Sequence, residues 1–222
     1  MKGKTVYLLR HAEPLHLFQE KYFLGQSDLP LSVKGKQQAR LLADFFSTVD
    51  LSAIFCSDLQ RALQTAMFIA EKHDLYPRIV KELREINLGR WEGLRLDKVK
   101  SLYPVEYELR GQDLVNYRPP EGESFVDLQK RVLPIYREIV DSSEGDIVIV
   151  SHAGVNRAIL CALLDVPLEN LLTIEQEYAC INVIKYLEKK GSKFRYEYLR
   201  QPFKRTDRRE KNGNGDICDQ RQ

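Results

Sequence analysis

The sequence predicts an α/β protein with three layers, α/β/α, around a mostly parallel central sheet. Three observations predict it. Short runs rich in Val, Ile and Leu alternate with stretches of helical spacing, the pattern of strand–helix units. These runs are apolar throughout rather than at every second residue, as strands buried on both faces are. The length, 222 residues, suits one large domain of this kind and is short for two.

Taken in order, residues 5–9 read as a buried strand. After the turn-rich "DLPLS", Ser32 can cap a helix running to about Thr48, with Ala39, Leu42, Ala43 and Phe46 on one face. "SAIFCS" (52–57) reads as a second buried strand. Residues 58–73 follow as a helix with Leu59, Ala62, Leu63, Ala66 and Ile69 inward. "RIVKELREI" supplies a short strand over 79–82 and a loop around "NLGRWEG". A partly helical excursion covers 95–118 until Pro119, Pro120 and Gly122 break it. An amphipathic helix over about 123–141 carries Phe125, Leu128, Val132, Ile135 and Ile139. "DIVIVS" (146–151) is a third buried strand and 153–164 a helix. "ACINVIKYLE" and "KFRYEYL" read as two late strands, a hairpin around Lys190 and Gly191. The expected division is one domain over 1–202 and a polar, disordered tail over 203–222.

Charge narrows the function. The net charge is +2, from 34 basic and 32 acidic residues. The tail from Phe203 holds six basic and four acidic residues, which leaves 28 of each in the body. A neutral body offers no general attraction for nucleic acid or an anionic membrane, so neither is an expected partner. Cys56, Cys161, Cys180 and Cys218 form no C-x-x-C pair, and the first three lie in apolar stretches. They read as reduced thiols of a cytoplasmic protein rather than disulfides or metal ligands. Arg10 and His11 interrupt the first apolar run too early for a signal peptide or a spanning helix.

"VYLLRHAE" and "IVIVSHAG" are alike: each is an apolar run ending in a histidine, in a chain with 4 histidines in all. In an open parallel sheet, ligands bind beyond the carboxyl ends of the strands. His11 and His152 stand at two such ends. The strand at 52–57 leads into a helix whose first turn carries Arg61, and the strand at 79–82 into a loop carrying Glu85. One rim therefore gathers Arg10, His11, Arg61, Glu85 and His152.

That set suits phosphoryl transfer, which is catalysed mainly by positioning and electrostatics. Two guanidinium forks match phosphate oxygens. A neutral imidazole is a competent nucleophile near neutral pH. A protonated carboxyl can donate to a leaving oxygen, and a nearby phosphate charge favours that protonated form. The chemistry calls for no metal and no cofactor. Sequence signatures of the rival phosphate chemistries are missing: G-x-x-x-x-G-K-[ST], G-x-G-x-x-G after the first strand, and G-x-S-x-G. Cys56 lies five positions before Arg61 but inside an apolar strand, unsuited to a thiolate loop.

These residues resemble a known family. "LLRHAEP", "FLGQSDLPLSVKGKQQA", "SDLQRALQTA", "LREINLGRWEG", "PPEGES" and "VIVSHAG" follow one another in the order of the histidine phosphatase superfamily, phosphoglycerate mutase-like branch. The resemblance runs from about 5 to 186. It implies the phosphoglycerate mutase-like fold, with His11 as a nucleophile forming a phosphohistidine. It implies that Arg10, Arg61 and His152 hold the phosphoryl group, and that Glu85 protonates the leaving group and then helps activate water. It further implies that Gly25, Gln26 and Ala153 line the substrate side and that the other ring N–H of His11 donates to a backbone carbonyl. Two features depart from the family pattern. Ala12 stands where the family usually has Gly. The loop after His11 offers His16 and Gln19 in place of Asn.

The resemblance therefore implies an enzyme acting on a small-molecule phosphomonoester, as a monomer or homodimer. True mutases carry a longer basic insertion before the Gly-Glu-Ser break. Here Gly93 to Gly122 is short, and its bases (Arg95, Lys98, Lys100, Arg110 and Arg118) are interleaved with acids. Hydrolysis is thus favoured over mutase activity. "YFLGQSDLPLS" is similar to α-ribazole phosphatases of cobalamin assembly. A broad sugar or nucleotide phosphatase and a weakly active phosphate binder are the other readings.

Overall fold

The computed structural model describes residues 3–16, 20–186, 194–199, 209–211 and 217–219. Its main sheet is built from β1 (Lys4–Arg10), β2 (Leu51–Cys56), β3 (Arg78–Ile79), β4 (Asp146–Ser151), β5 (Ile181–Tyr186) and β6 (Phe194–Leu199). Their spatial order is β3-β2-β4-β1-β5-β6. The first four are mutually parallel, while β5 runs antiparallel to β1 and β6 antiparallel to β5. The expected mostly parallel sheet with a late antiparallel pair is thus present. The turn expected at Lys190 and Gly191 lies outside the described residues.

Six α-helices flank this sheet among the described residues: α1 (Val33–Phe46), α2 (Gln60–Ala70), α3 (Leu96–Leu102), α4 (Pro104–Gln112), α5 (Phe125–Ser142) and α6 (Ala153–Leu163). Packing divides by face. Leu9, Ile54, Val148 and Val150 join Ala39, Leu42 and Phe46 of α1 and Ala62, Ala66 and Ile69 of α2. Val6, Leu8, Ile147 and Ile149 join Leu128 and Val132 of α5 and Val155 and Ile159 of α6. Adjacent strand residues therefore serve opposite cores, which is why the strand sequences are apolar without alternation.

The helix starts match their chemistry. Ser32 caps α1 by accepting from the Gly35 N–H at 2.9 Å. Ser124 and Asp127 form a reciprocal capping box at α5, satisfying two end donors that would otherwise be orphaned. Two expectations need correction. The third strand is only Arg78–Ile79, and Lys81–Leu83 is a 3₁₀ turn rather than strand. Its ladder stops because β2 ends at Cys56, whose carbonyl takes the Val80 N–H as the last bond. On α5, Tyr136 rather than Ile135 is fully buried, and its hydroxyl meets that of Tyr186 at 3.0 Å. The buried stripe steps from Val132 to 136 and 139–140, so position 135 falls on its edge.

The tail expected to be disordered lies mostly outside the described residues. Its described pieces are β7 (Arg209–Lys211) and β8 (Ile217–Asp219), paired antiparallel. Among the described residues no helix is long and apolar enough to cross a membrane.

Candidate active site

The three central parallel strands end level. Arg10 of β1 lies beside Ser151 of β4, and Cys56 of β2 beside Val150. The next residues extend the ladder: the His11 N–H donates to the Ser151 carbonyl at 2.9 Å and the Ser57 N–H to the Val150 carbonyl at 3.1 Å. His11 and His152 therefore leave the same edge of the sheet as neighbours. Their ring centroids are 5.0 Å apart, and both side chains are buried.

His11 is fixed at both ring nitrogens. Nδ1 lies 2.7 Å from the Ala12 carbonyl, which can only accept, so this nitrogen carries the proton. Nε2 is left with its lone pair, toward which Arg61 directs its Nε–H at 3.3 Å. Burial, then the charges of Arg61 and Arg10, hold this imidazole well below the usual histidine range. It is a neutral ring whose nucleophilic lone pair, on Nε2, accepts from Arg61.

Arg61, in the first turn of α2, is buried. It donates to the Ser27 carbonyl at 2.6 Å and the Gly25 carbonyl at 2.5 Å. Of its five N–H groups, these bonds and the one to His11 occupy three, so two remain for a ligand. Arg10 gives one N–H to the Gln176 carbonyl at 2.6 Å and lies 3.8 Å from the centre of the Tyr178 ring, a cation–π contact. Among the described residues, its Nε and both ring nitrogens of His152 are buried without a hydrogen-bond partner. Buried polar atoms are rarely left so, because each costs free energy comparable to a lost hydrogen bond. His152 stands at the start of α6, whose N-terminal dipole also favours an anion. Burial, and then Arg61, His11, Arg10 and Arg131, depress His152 well below the usual range.

Glu85 joins this rim from the loop after the 3₁₀ turn. Its carboxylate accepts the Gly154 N–H and its own neighbour's, Ile86 N–H, each at 3.0 Å. The approach depends on glycine. A Cβ on residue 154 would stand 2.4 Å from a Glu85 carboxylate oxygen. Arg131 of α5 braces the same loop by donating to the carbonyls of Glu82, Arg84 and Glu85, while Glu123 holds its fork.

Gly25 and Gln26 lie beside Arg61 and Glu85. Gln26 donates its amide to the Glu85 carbonyl at 3.0 Å. Ala153 opens α6. Ala12 is fully buried in the apolar cluster under α1 and α2. Its N–H bonds the Thr65 hydroxyl at 3.1 Å. His16 is exposed, its ring 6.2 Å from that of Tyr178. Gln19 lies outside the described residues. Burial pushes the Cys56 thiol up to about 12, so it is no thiolate nucleophile. Among the described residues no three His, Cys, Asp or Glu side chains are grouped to hold a metal ion.

Sequence reading missed three supports. Glu92 accepts the N–H groups of Gly25, Gln26 and Ser27 at 2.8–3.0 Å, and so shapes the turn whose carbonyls hold Arg61. Thr65 links the Ala12 N–H to the Arg61 carbonyl. Arg131 is the third. Glu92 and Thr65 lie within the stretches "GRWEG" and "RALQTA", the one signal that pointed to them.

Two arginines and two neutral histidines gathered at the carboxyl edge of a three-layer α/β sheet define the class. Comparison with known proteins agrees. Residues 6–197 match the model of the histidine phosphatase superfamily (branch 1), and the chain belongs to that family. It is 32% identical over 176 residues to a 6-phosphofructo-2-kinase/fructose-2,6-bisphosphatase of Caenorhabditis elegans, covering 78% of this chain and 36% of that protein. The chain thus spans about a third of the length of the curated relatives it matches. A mycobacterial glucosyl-3-phosphoglycerate phosphatase superposes with a TM-score of 0.74 at 28% identity, over 83% of this chain and 91% of its own. The α-ribazole phosphatase of Shigella flexneri gives 0.76 at 25%, over 83% and 94%.

Proposed function

We propose that this protein hydrolyses a small-molecule phosphomonoester through a phosphohistidine on His11, without a metal. The carrying observation is the state of His11: neutral, with Nδ1–H tied to the Ala12 carbonyl and Nε2 facing Arg61 beside His152. In the first step the Nε2 lone pair attacks phosphorus. The bond from phosphorus to the leaving oxygen breaks, and Glu85 gives its proton to that oxygen. In the second, Glu85 takes a proton from water as the water oxygen attacks phosphorus. The P–N bond then breaks, and inorganic phosphate leaves. Arg10, Arg61 and His152 hold the oxygens throughout, so that charge is met by donors already in place. Gly25, Gln26 and Ala153 border the leaving group.

The family supports the reaction class, and a structure of the mycobacterial relative was obtained with inorganic phosphate. The relatives' names span several substrates. α-Ribazole 5′-phosphate, from cobalamin biosynthesis, is the candidate that the sequence likeness singles out, with phosphoglycerate mutase activity and a broad sugar or nucleotide phosphatase as alternatives.

The wild-type chain should release p-nitrophenol from p-nitrophenyl phosphate in excess EDTA, and His11→Ala should lose at least about a thousand-fold in kcat, as removal of a covalent nucleophile does. A requirement for added metal, or activity persisting in His11→Ala, would falsify the mechanism. A panel of α-ribazole 5′-phosphate, 3-phosphoglycerate, sugar phosphates and nucleotides then ranks the substrates. Phosphate release separates a hydrolase from a mutase.

A further inference from the structure

Behind Arg10 a chain of polar side chains crosses the core. Ser151 of β4, Asn156 of α6, Gln176 and Asn182 of β5 are all buried. Gln176 stands in the connection between the 3₁₀ segment Leu168–Thr173 and β5. Its amide and that of Asn182 exchange two hydrogen bonds. Gln176 Nε2 donates to Asn182 Oδ1 at 2.9 Å, and Asn182 Nδ2 to Gln176 Oε1 at 3.2 Å. Asn156 donates to the same Gln176 oxygen at 2.9 Å and accepts from the Ser151 hydroxyl at 2.5 Å. Asn182 also donates to the Leu8 carbonyl at 2.8 Å and accepts from the Tyr196 hydroxyl at 3.0 Å. These bonds join β1, β4, β5, β6 and α6 directly behind the strand ends that carry Arg10 and His152.

Buried amides cost free energy unless they are satisfied, and an apolar filling of such a space is often as stable. What a satisfied set adds is one fixed arrangement. Here that arrangement determines what Arg10 meets. The Gln176 backbone carbonyl accepts from Arg10 Nη1 at 2.6 Å, and the Tyr178 ring lies against the same guanidinium at 3.8 Å. The end of the segment returns to the nucleophile strand. The Cys180 carbonyl accepts the Arg10 N–H, and the Ala179 N–H donates to the His11 carbonyl, each at 3.2 Å. Ala179 is left-handed, with φ 60°, a conformation an alanine keeps only where its surroundings over-determine it. Residues 176–178 thus hold Arg10 from behind, while its Nε has no partner among the described residues.

We propose that Gln176 is a positioning residue: its amide, locked between Asn156 and Asn182, sets the carbonyl and the Tyr178 ring that aim Arg10 at the phosphoryl group. This rests on the phosphatase reading above and adds to it a residue that touches no substrate. A guanidinium fork matches an anion only in the right plane. Misplacing it weakens transition-state binding more than ground-state binding.

Gln176→Met keeps the length of the side chain and removes its amide. It should lower kcat/KM for p-nitrophenyl phosphate by about ten-fold, and weaken vanadate, a transition-state mimic, more than inorganic phosphate. The deciding measurement is a double-mutant cycle with Arg10→Gln. If Gln176 acts through Arg10, Gln176→Met should cost less than about two-fold once Arg10 is replaced. An equal loss in both backgrounds, or no loss in the wild-type background, overturns the proposal, because a residue that only fills the core lowers the melting temperature without depending on Arg10. Where Gln176→Met does not fold, Asn182→Ser, which keeps a hydroxyl for the Leu8 carbonyl, takes its place in the same cycle with the same expectations. If the wild type hydrolyses nothing, the phosphatase reading fails, and calorimetric titration of the same variants with inorganic phosphate completes the cycle. A loss of affinity seen only when Arg10 is present supports the positioning role, and an independent or absent loss overturns it.

Discussion

Glu85 stands beyond a 3₁₀ turn, held by two N–H groups and admitted only because residue 154 is glycine. The strand pattern points Glu85 to the rim, but its route there differs from the one expected. If it is the acid, its contribution scales with how much the leaving oxygen needs a proton. Glu85→Gln should therefore slow alkyl phosphates by about a hundred-fold or more and nitrophenyl phosphates far less. A series of esters of graded leaving-group pKa measures this, and an equal loss across the series would remove Glu85 from that role. At this scale the sequence was partly legible. Arg10, His11 and His152 could be placed because each follows directly from a buried strand whose direction sets where its end lies. Glu92 and Arg131 could not, because these partners are backbone groups 46 or more positions away, and no side-chain pattern marks a backbone group as a partner.

Among the elements, α5 does more than cover the sheet. Its buried stripe fills the core between sheet and α6, while Arg131 reaches off the same helix to three carbonyls of the acid loop. The helix thus fixes where Glu85 can stand, and Arg131 acts through it as a positioning residue. Arg131→Gln should lower kcat by about ten-fold while KM changes little, and steepen the dependence on leaving-group pKa as Glu85 loses its alignment. A uniform fall in rate with unchanged leaving-group dependence would mean that the contact supports folding alone. The helix itself was readable from its apolar spacing and its Ser124 start, because periodicity reports which face is buried. The 3₁₀ turn was not. "KELRE" has neither the length for a period nor a cap, and the end of β2 decides where the strand stops.

The molecule as a whole assembles positive charge and unpartnered donors in a dry place and stabilises them with the rest of its core. Arg61, His11 and His152 are buried together, with Arg10 Nε enclosed beside them. Folding therefore favours the neutral imidazoles. In the unfolded chain each histidine takes up its proton near pH 6.5, whereas in the folded protein both take it up at lower pH. The unfolded state binds more protons in that window, so stability is full above about pH 6.5 and declines as the pH falls below it. Phosphate in the cradle weakens this effect, because an adjacent anion offsets part of the arginines' charge and occupies the orphaned donors. Melting curves should then show two effects. Without phosphate, the melting temperature drops between pH 7.5 and 5.5. With inorganic phosphate at about a hundred times its Kd, stability rises by about 2.7 kcal/mol. For a chain of this size that is roughly 5–10 °C, and the acid-side slope flattens. Arg61→Gln should abolish most of the phosphate effect. A melting temperature indifferent to phosphate, or raised equally in Arg61→Gln, would mean that the orphaned nitrogens do not form an anion site.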